Sequence, residues 1–173
     1  MSPPVMLVDG YNVVGAWQSL QELKATGNIA LARYKLVEIL ANYSAYRGFH
    51  TTIVFDAYNQ PQPGATEDVT QYLKLHYTDY HQTADSYIEK VCAQLRKLRR
   101  VIVVTSDRAQ QLTVGGFGAE WMSALHLEQD VRSAQASMRR KQRSQNTTHR
   151  RLHSVMKEEV RQKLTDWRAQ LSQ

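Results

Sequence analysis

Apolar residues in this chain gather either into unbroken blocks or into stripes that recur every three to four positions. Val5-Met6-Leu7-Val8, Ile53-Val54-Phe55 and Val101-Ile102-Val103-Val104 are blocks of the first kind. A strand of a parallel sheet covered on both faces reads as such a block, because neither of its sides meets water. Three strands are therefore predicted, over Val5 to Asp9, Thr51 to Asp56 and Val101 to Asp107. A weaker, partly alternating one falls at about Leu73 to Tyr77.

The stripes predict helices. Ile29, Ala32, Leu36, Ile39, Leu40 and Tyr43 place a helix from a cap at Asn28 to about Tyr46, where Gly48 breaks it. Ile88, Val91, Cys92, Leu95 and Leu98 place another, capped by Thr83, with Lys97, Arg99 and Arg100 complementing its carboxyl end. A helix from about Ser123 carries Leu127, Val131, Ala134 and Met138 on one face. A last one carries Leu152, Val155, Met156, Val160, Leu164, Trp167 and Leu171. Between elements, Pro61, Pro63 and Gly64 forbid regular structure, Gly115-Gly116-Phe117-Gly118 reads as a turn, and Arg139 to Arg151 reads as a polar, basic hinge. Strands alternating with helices predict an α/β fold with a doubly wound parallel sheet.

Length and charge refine this picture. The 173 residues suffice for one domain with accessory structure. Residues 1–131 hold 11 Lys and Arg against 13 Asp and Glu, whereas residues 132–173 hold 11 against 3. An acidic body, 1–131, thus carries a basic helical extension, 132–173, and such asymmetry points to a polyanion such as RNA. Arg139, Arg140, Lys141, Arg143, Arg150 and Arg151 are its candidate contacts. Cys92 is the sole cysteine, so no disulfide forms within the chain, and a reducing, cytoplasmic setting is expected. No signal peptide or membrane span is expected either.

The chemistry concentrates in aspartates. Asp9, Asp56 and Asp107 end the three apolar blocks and Asp85 opens a helix, so parallel pairing would bring them to one carboxyl edge, where open α/β sheets bind ligands. Asp9-Gly10-Tyr11-Asn12 is neither a dinucleotide nor a P-loop signature. Tyr11 stands where a haloacid-dehalogenase-type phosphotransferase would place its second aspartate, and the six histidines show no zinc spacing. What remains is a cation site of four carboxylates, with Asn12 brought alongside Asp9 by a sharp turn at Gly10. Crowded carboxylates stay ionised when they share a hard cation, Mg²⁺ or Mn²⁺. Such a site suits phosphodiester hydrolysis.

Leu7-Val8-Asp9-Gly10-Tyr11-Asn12, Phe55-Asp56-Ala57, Thr83-Ala84-Asp85-Ser86-Tyr87-Ile88-Glu89 and Val104-Thr105-Ser106-Asp107 together resemble the NYN-domain ribonucleases, in particular their YacP-like branch. The resemblance runs over about residues 5 to 131. It implies a Rossmann-like, PIN-like three-layer domain with a central parallel sheet and a Mg²⁺- or Mn²⁺-dependent endonuclease site. Asp9, Asp56, Asp85 and Asp107 would be its metal acids and Asn12 a supporting ligand. It further implies cleavage of mRNA in association with the ribosome. The chain departs from the family pattern at Trp121, where a basic residue is usual, and at Ser86, where many relatives place a second acid. Two other readings stay open at this point: a non-catalytic RNA- or ribosome-binding module, and a hydrolase of small phosphate esters.

Overall fold

A computed structural model describes residues 2–57, 64–95 and 98–143. Six strands form one sheet: β1 (Val5–Asp9), β2 (His50–Phe55), β3 (Thr66–Thr70), β4 (Leu73–Tyr77), β5 (Val101–Val104) and β6 (Glu120–Met122). Their order across the sheet is β3-β4-β2-β1-β5-β6, and every pairing is parallel except that of the edge strand β3 with β4. The helices are α1 (Gly10–Ala16), α2 (Gln18–Ala25), α3 (Ile29–Arg47), α4 (Ala84–Leu95) and α5 (Arg108–Gly116). Residues 124–143 are also helical. The predicted α/β class with a central, mostly parallel sheet is the architecture found.

β1 lies in the middle because both its edges are paired: Val8 stands beside Ile53 of β2 and beside Val104 of β5. Alternation along the strands then sorts side chains between two helical layers. Val5, Leu7, Val54, Val101 and Val103 pack with Ala84, Ile88 and Cys92 of α4 and Val114 of α5. On the other face lie the buried residues of α1 to α3, among them Val13, Val14, Leu20, Leu36 and Leu40. The indole of Trp17 donates to the Ala124 carbonyl at 2.7 Å, which brings residue 124 to that same layer. The order of the strands places the change of winding direction at β1, with β2 on one side and β5 on the other.

Several local features differ from the sequence reading. Gly10 is not a free turn but the first residue of α1, so Asp9 meets Asn12 as a helix cap, through the Asn12 N–H. α1 and α2 escape periodicity because α1 is only 7 residues long, with two glycines and two valines, and forms because Val13 and Val14 are buried. β3 is exposed at every position and β6 has 3 residues, so neither carries a strand pattern. Gly115 and Gly116 belong to α5, which leaves Phe117 and Gly118 for the turn.

Asn28 occupies the position before α3 without a side-chain cap bond, whereas Gly48 ends that helix with φ 69° as expected. The Arg99 guanidinium donates to the Pro3 carbonyl at 2.7 Å. Arg100 grips Glu120 of β6 with two bonds of 2.7 Å. Residues 139–143 are helical, not a hinge, as suits a run of Arg, Lys and Gln. The rest of the predicted hinge, the final helix and Tyr58 to Pro63 lie outside the described residues. By contacts the chain divides into two units, Met1–Ala134 and Gln135–Gln173. No described helix is long and apolar enough to cross a membrane.

At Gly10 there is no room for a side chain: a Cβ would stand 2.6 Å from Cδ1 of the fully buried Phe55. Phe55 cannot swing freely, since Tyr11 meets its ring edge-on at 5.1 Å and Tyr77 stacks at 6.0 Å. Gly10→Ala is therefore expected to destabilise the fold by about 1–3 kcal/mol, the usual cost of overpacking. Urea unfolding checks this, and an unchanged midpoint would refute it.

Candidate active site

Each predicted acid is held by the start of a helix or by a loop at the carboxyl edge. Asp9 ends β1 and caps α1, accepting the Asn12 N–H at 3.1 Å. Asp107 caps α5, its Oδ1 accepting from Ala109 at 2.7 Å and from Gln110 at 3.3 Å. Asp56 follows β2, and its Oδ1 accepts the N–H of Ala84 at 2.6 Å. That bond fastens the end of β2 to the start of α4, whose second residue is Asp85. Helix N-termini supply unpaired N–H groups and a partial positive charge, so carboxylates are the side chains that belong there.

Asn12 clasps two segments together. Its Oδ1 accepts the N–H of Ser106 at 3.0 Å, tying α1 to the turn that carries Asp107. Thr105 supports the same turn, with Oγ1 accepting the Asp107 N–H at 3.1 Å and its carbonyl accepting Gln111 Nε2 at 3.1 Å. The carboxamide oxygen of Asn12, expected as a ligand, is thus engaged with the backbone. Both it and the aspartates nevertheless converge on one edge.

The acids feel one another. Burial pushes the Asp9 carboxyl up to about 6; the amides of Asn12 and Tyr11 pull it down, and the charges of Asp85 and Asp56 push it further up. Asp85 is raised by burial, then by Asp107, Asp56 and Glu89. Repulsion therefore links all four predicted aspartates, with Asp85 at the middle. Glu89 joins them without being a strand-end acid: it stands four residues from Asp85 on α4, a spacing that puts both on one helix face.

Among the described residues, no three Asp, Glu, His or Cys side chains converge tightly enough to cage an ion as they stand. The donor set still fits a hard divalent cation: oxygen ligands throughout, mutual repulsion, and one carboxyl burdened by burial. Beside Asp56 opens a cavity of about 760 Å³ that Tyr11, Tyr80 and Gln82 also line. Arg139, Arg140, Lys141 and Arg143 are exposed on helical residues, and Arg150 and Arg151 lie outside the described residues.

A mostly parallel sheet with carboxylates at its carboxyl edge places this protein among the open α/β folds that bind ligands at that edge. Comparison narrows the class. A family profile for the YacP-like NYN domain matches residues 6–169. The chain is 32% identical over 166 residues to YacP of Bacillus subtilis (strain 168), covering 95% of this chain and 96% of that protein. It superposes on the crystal structure of Rae1 (YacP) from Bacillus subtilis with a TM-score of 0.71 at 30% identity, covering 97% and 95% of the two chains. With the W164L mutant of that protein the TM-score is 0.69 at 33% identity, over 81% of each chain. The chain belongs to the YacP-like NYN-domain family. NYN domains form a nuclease family of the PIN-like kind, and such nucleases generally use divalent metal ions.

The raised Asp9 carboxyl has a direct consequence for stability without metal. The folded state holds the Asp9 proton more tightly than the unfolded chain, whose value is near 3.8, so stability falls as pH rises from about 4 to about 6. Above that range the whole penalty is present. Asn caps a helix as well as Asp does, so in EDTA at pH 7.5 Asp9→Asn is expected to stabilise the protein by about 1–3 kcal/mol. The gain should vanish below pH 4. Urea melts at the two pH values decide it, and equal stability of both proteins at pH 7.5 would refute it.

Proposed function

We propose that this protein is a metal-dependent endoribonuclease that cleaves single-stranded RNA, mRNA in particular, with the ribosome as the platform on which it meets its substrate. One observation carries the reading: four aspartates from four separate segments repel one another at the carboxyl edge of the sheet. A structural role alone needs one carboxylate per helix cap and gains nothing from their proximity. Asp9, Asp56, Asp85 and Asp107 would hold Mg²⁺ or Mn²⁺ at that edge, drawing closer around the ion.

Held by these carboxylates, a divalent ion would supply charge neutralisation at the phosphate and activation of the attacking water. The chain supplies the rest. Asp9 and Asp107 are fixed by the helices they cap, and Asp56 by its bond to Ala84. Asn12 serves by holding the Ser106–Asp107 turn against α1. Positioning of this kind is effective because the preorganised carboxylates need no rearrangement at the moment of reaction. Arg139, Arg140, Lys141, Arg143, Arg150 and Arg151 supply affinity for the RNA or ribosomal phosphates, and the body and the basic extension divide these tasks.

Cleavage of a labelled single-stranded RNA in Mn²⁺, with and without ribosomes, tests the reading. Asp9→Asn and Asp107→Asn are each expected to slow it by about 100-fold or more, while their melting temperatures without metal match or exceed that of the unsubstituted chain. Mn²⁺ should raise the melting temperature of the unsubstituted chain in proportion to the logarithm of its concentration. Binding of RNA without cleavage would make the protein a binding module instead.

The basic extension generates its own expectation. Each phosphate contact on single-stranded RNA adds roughly 0.7 to the slope of log affinity against log salt. Replacing the six basic residues by Gln should therefore flatten that slope by about 2 if only half of them contact phosphate. Unchanged affinity at low and moderate salt would leave the extension without a nucleic-acid role.

A further inference from the structure

The cavity beside Asp56 is larger than a metal site requires, and most of its wall is not acid. Tyr11, Tyr80, His81, Gln82 and Thr83 line it together with Asp56. Tyr80 is 70% exposed, an aromatic ring presented at the surface where packing gives it little to do. The next residue, His81, has φ 65°, in the left-handed region that residues with side chains seldom adopt. The turn that imposes this is closed by Gln82, whose N–H donates to the Asp79 carbonyl at 3.0 Å. Across the cavity Tyr11 is fixed by Phe55 and by a long bond, 3.5 Å, from Arg33 Nη1 to its hydroxyl. Arg33 has no carboxylate partner among the described residues.

Asp56 and Asp79 on the wall repel a free anion, so the cavity itself suits a neutral, planar group. A cation at its border, Arg33, suits a phosphate attached to that group. We infer that this cavity is a nucleobase subsite. It takes one base of a single-stranded RNA beside the scissile phosphodiester, with Tyr80 stacking on the ring, Gln82 reading its edge through a carboxamide, and Arg33 meeting the adjoining phosphate. The inference rests on the endoribonuclease reading and adds to it a place where sequence preference is set.

The test uses the full chain carrying Asp107→Asn, which suppresses cleavage and keeps the helix cap. A 5′-fluorescein-labelled ten-nucleotide RNA is bound in Mn²⁺ and followed by anisotropy. A parallel set of the same oligonucleotide lacks one base at each position in turn. Adding Tyr80→Ala should weaken binding of the intact RNA by about tenfold without changing the salt slope, and Arg33→Gln should flatten the slope by about 0.7. At one position, loss of the base should cost the parent about the same tenfold and cost the Tyr80→Ala protein nothing. Thermal melts confirm that the exposed Tyr80 is not needed for folding. Equal affinities of parent and Tyr80→Ala for every oligonucleotide, with Mn²⁺-dependent cleavage by the unsubstituted chain intact, overturn the subsite and leave the nuclease reading standing. No affinity of the parent for any of the RNAs overturns both.

Discussion

Pairing on both edges of β1 is the constraint from which the remaining geometry follows. A strand shared between β2 and β5 in parallel register fixes where three chain segments stop: β1 at Asp9, β2 one residue before Asp56, and β5 at Val104, short of the expected end, so that Asp107 stands three residues on as the cap of α5. No long side chain is required to bridge the segments, because the sheet delivers the carboxylates to a common edge. A slip of one residue in either ladder would exchange the two covered faces, sending Leu7 and Val8 into each other's helical layer and Asp9 to the opposite face of its strand, so the same packing that stabilises the sheet also defends the site.

The acids carry a conflict between local and collective demands. Asp9, Asp56 and Asp107 are favourable to their own helix or loop, through bonds from Asn12, Ala84, Ala109 and Gln110, and Asp85 lies in the first turn of α4, where a carboxylate suits the helix dipole. Together they are unfavourable: burial first, and then the charges of the other aspartates, push Asp9 and Asp85 up. Local capping keeps the carboxylates in place while their mutual repulsion is unrelieved. A fold that relied on the cation to assemble these segments would be at risk whenever the ion departed; this one has a backbone partner for three of the four.

Much of this could be read from the chain itself, for definite reasons. Buried parallel strands announce themselves as apolar blocks, and an aspartate at the end of each is visible by eye. What stayed hidden depends on partners distant in sequence. The bond from Ala84 to Asp56 spans 28 residues and that from Ser106 to Asn12 spans 94, so no local pattern shows that Asn12 is a clasp. β3, Thr66 to Thr70, hides because an exposed edge strand needs no apolar face. α1 hides because tertiary burial of Val13 and Val14 overrides the poor helix propensity around Gly10 and Gly15. Glu89 hides because it lies one turn into α4, away from any strand end.

The helix that begins at residue 124 belongs to the core for its first three turns: Ala124, Leu127, Val131 and Ala134 are all buried. Asp130 lies on the same stretch, where it accepts the Tyr43 hydroxyl at 2.5 Å and pairs with Arg47, anchoring the far end of α3. The change from acidic to basic composition after residue 131 therefore does not mark the place where the chain can be divided. A fragment ending there would expose the apolar ground beneath Ala134 and end the helix within one residue of the Asp130 anchor. In evolutionary terms, a module exchanged between proteins at this point has to carry residues to at least 134, and the basic extension is grafted onto an element the nuclease body already needs.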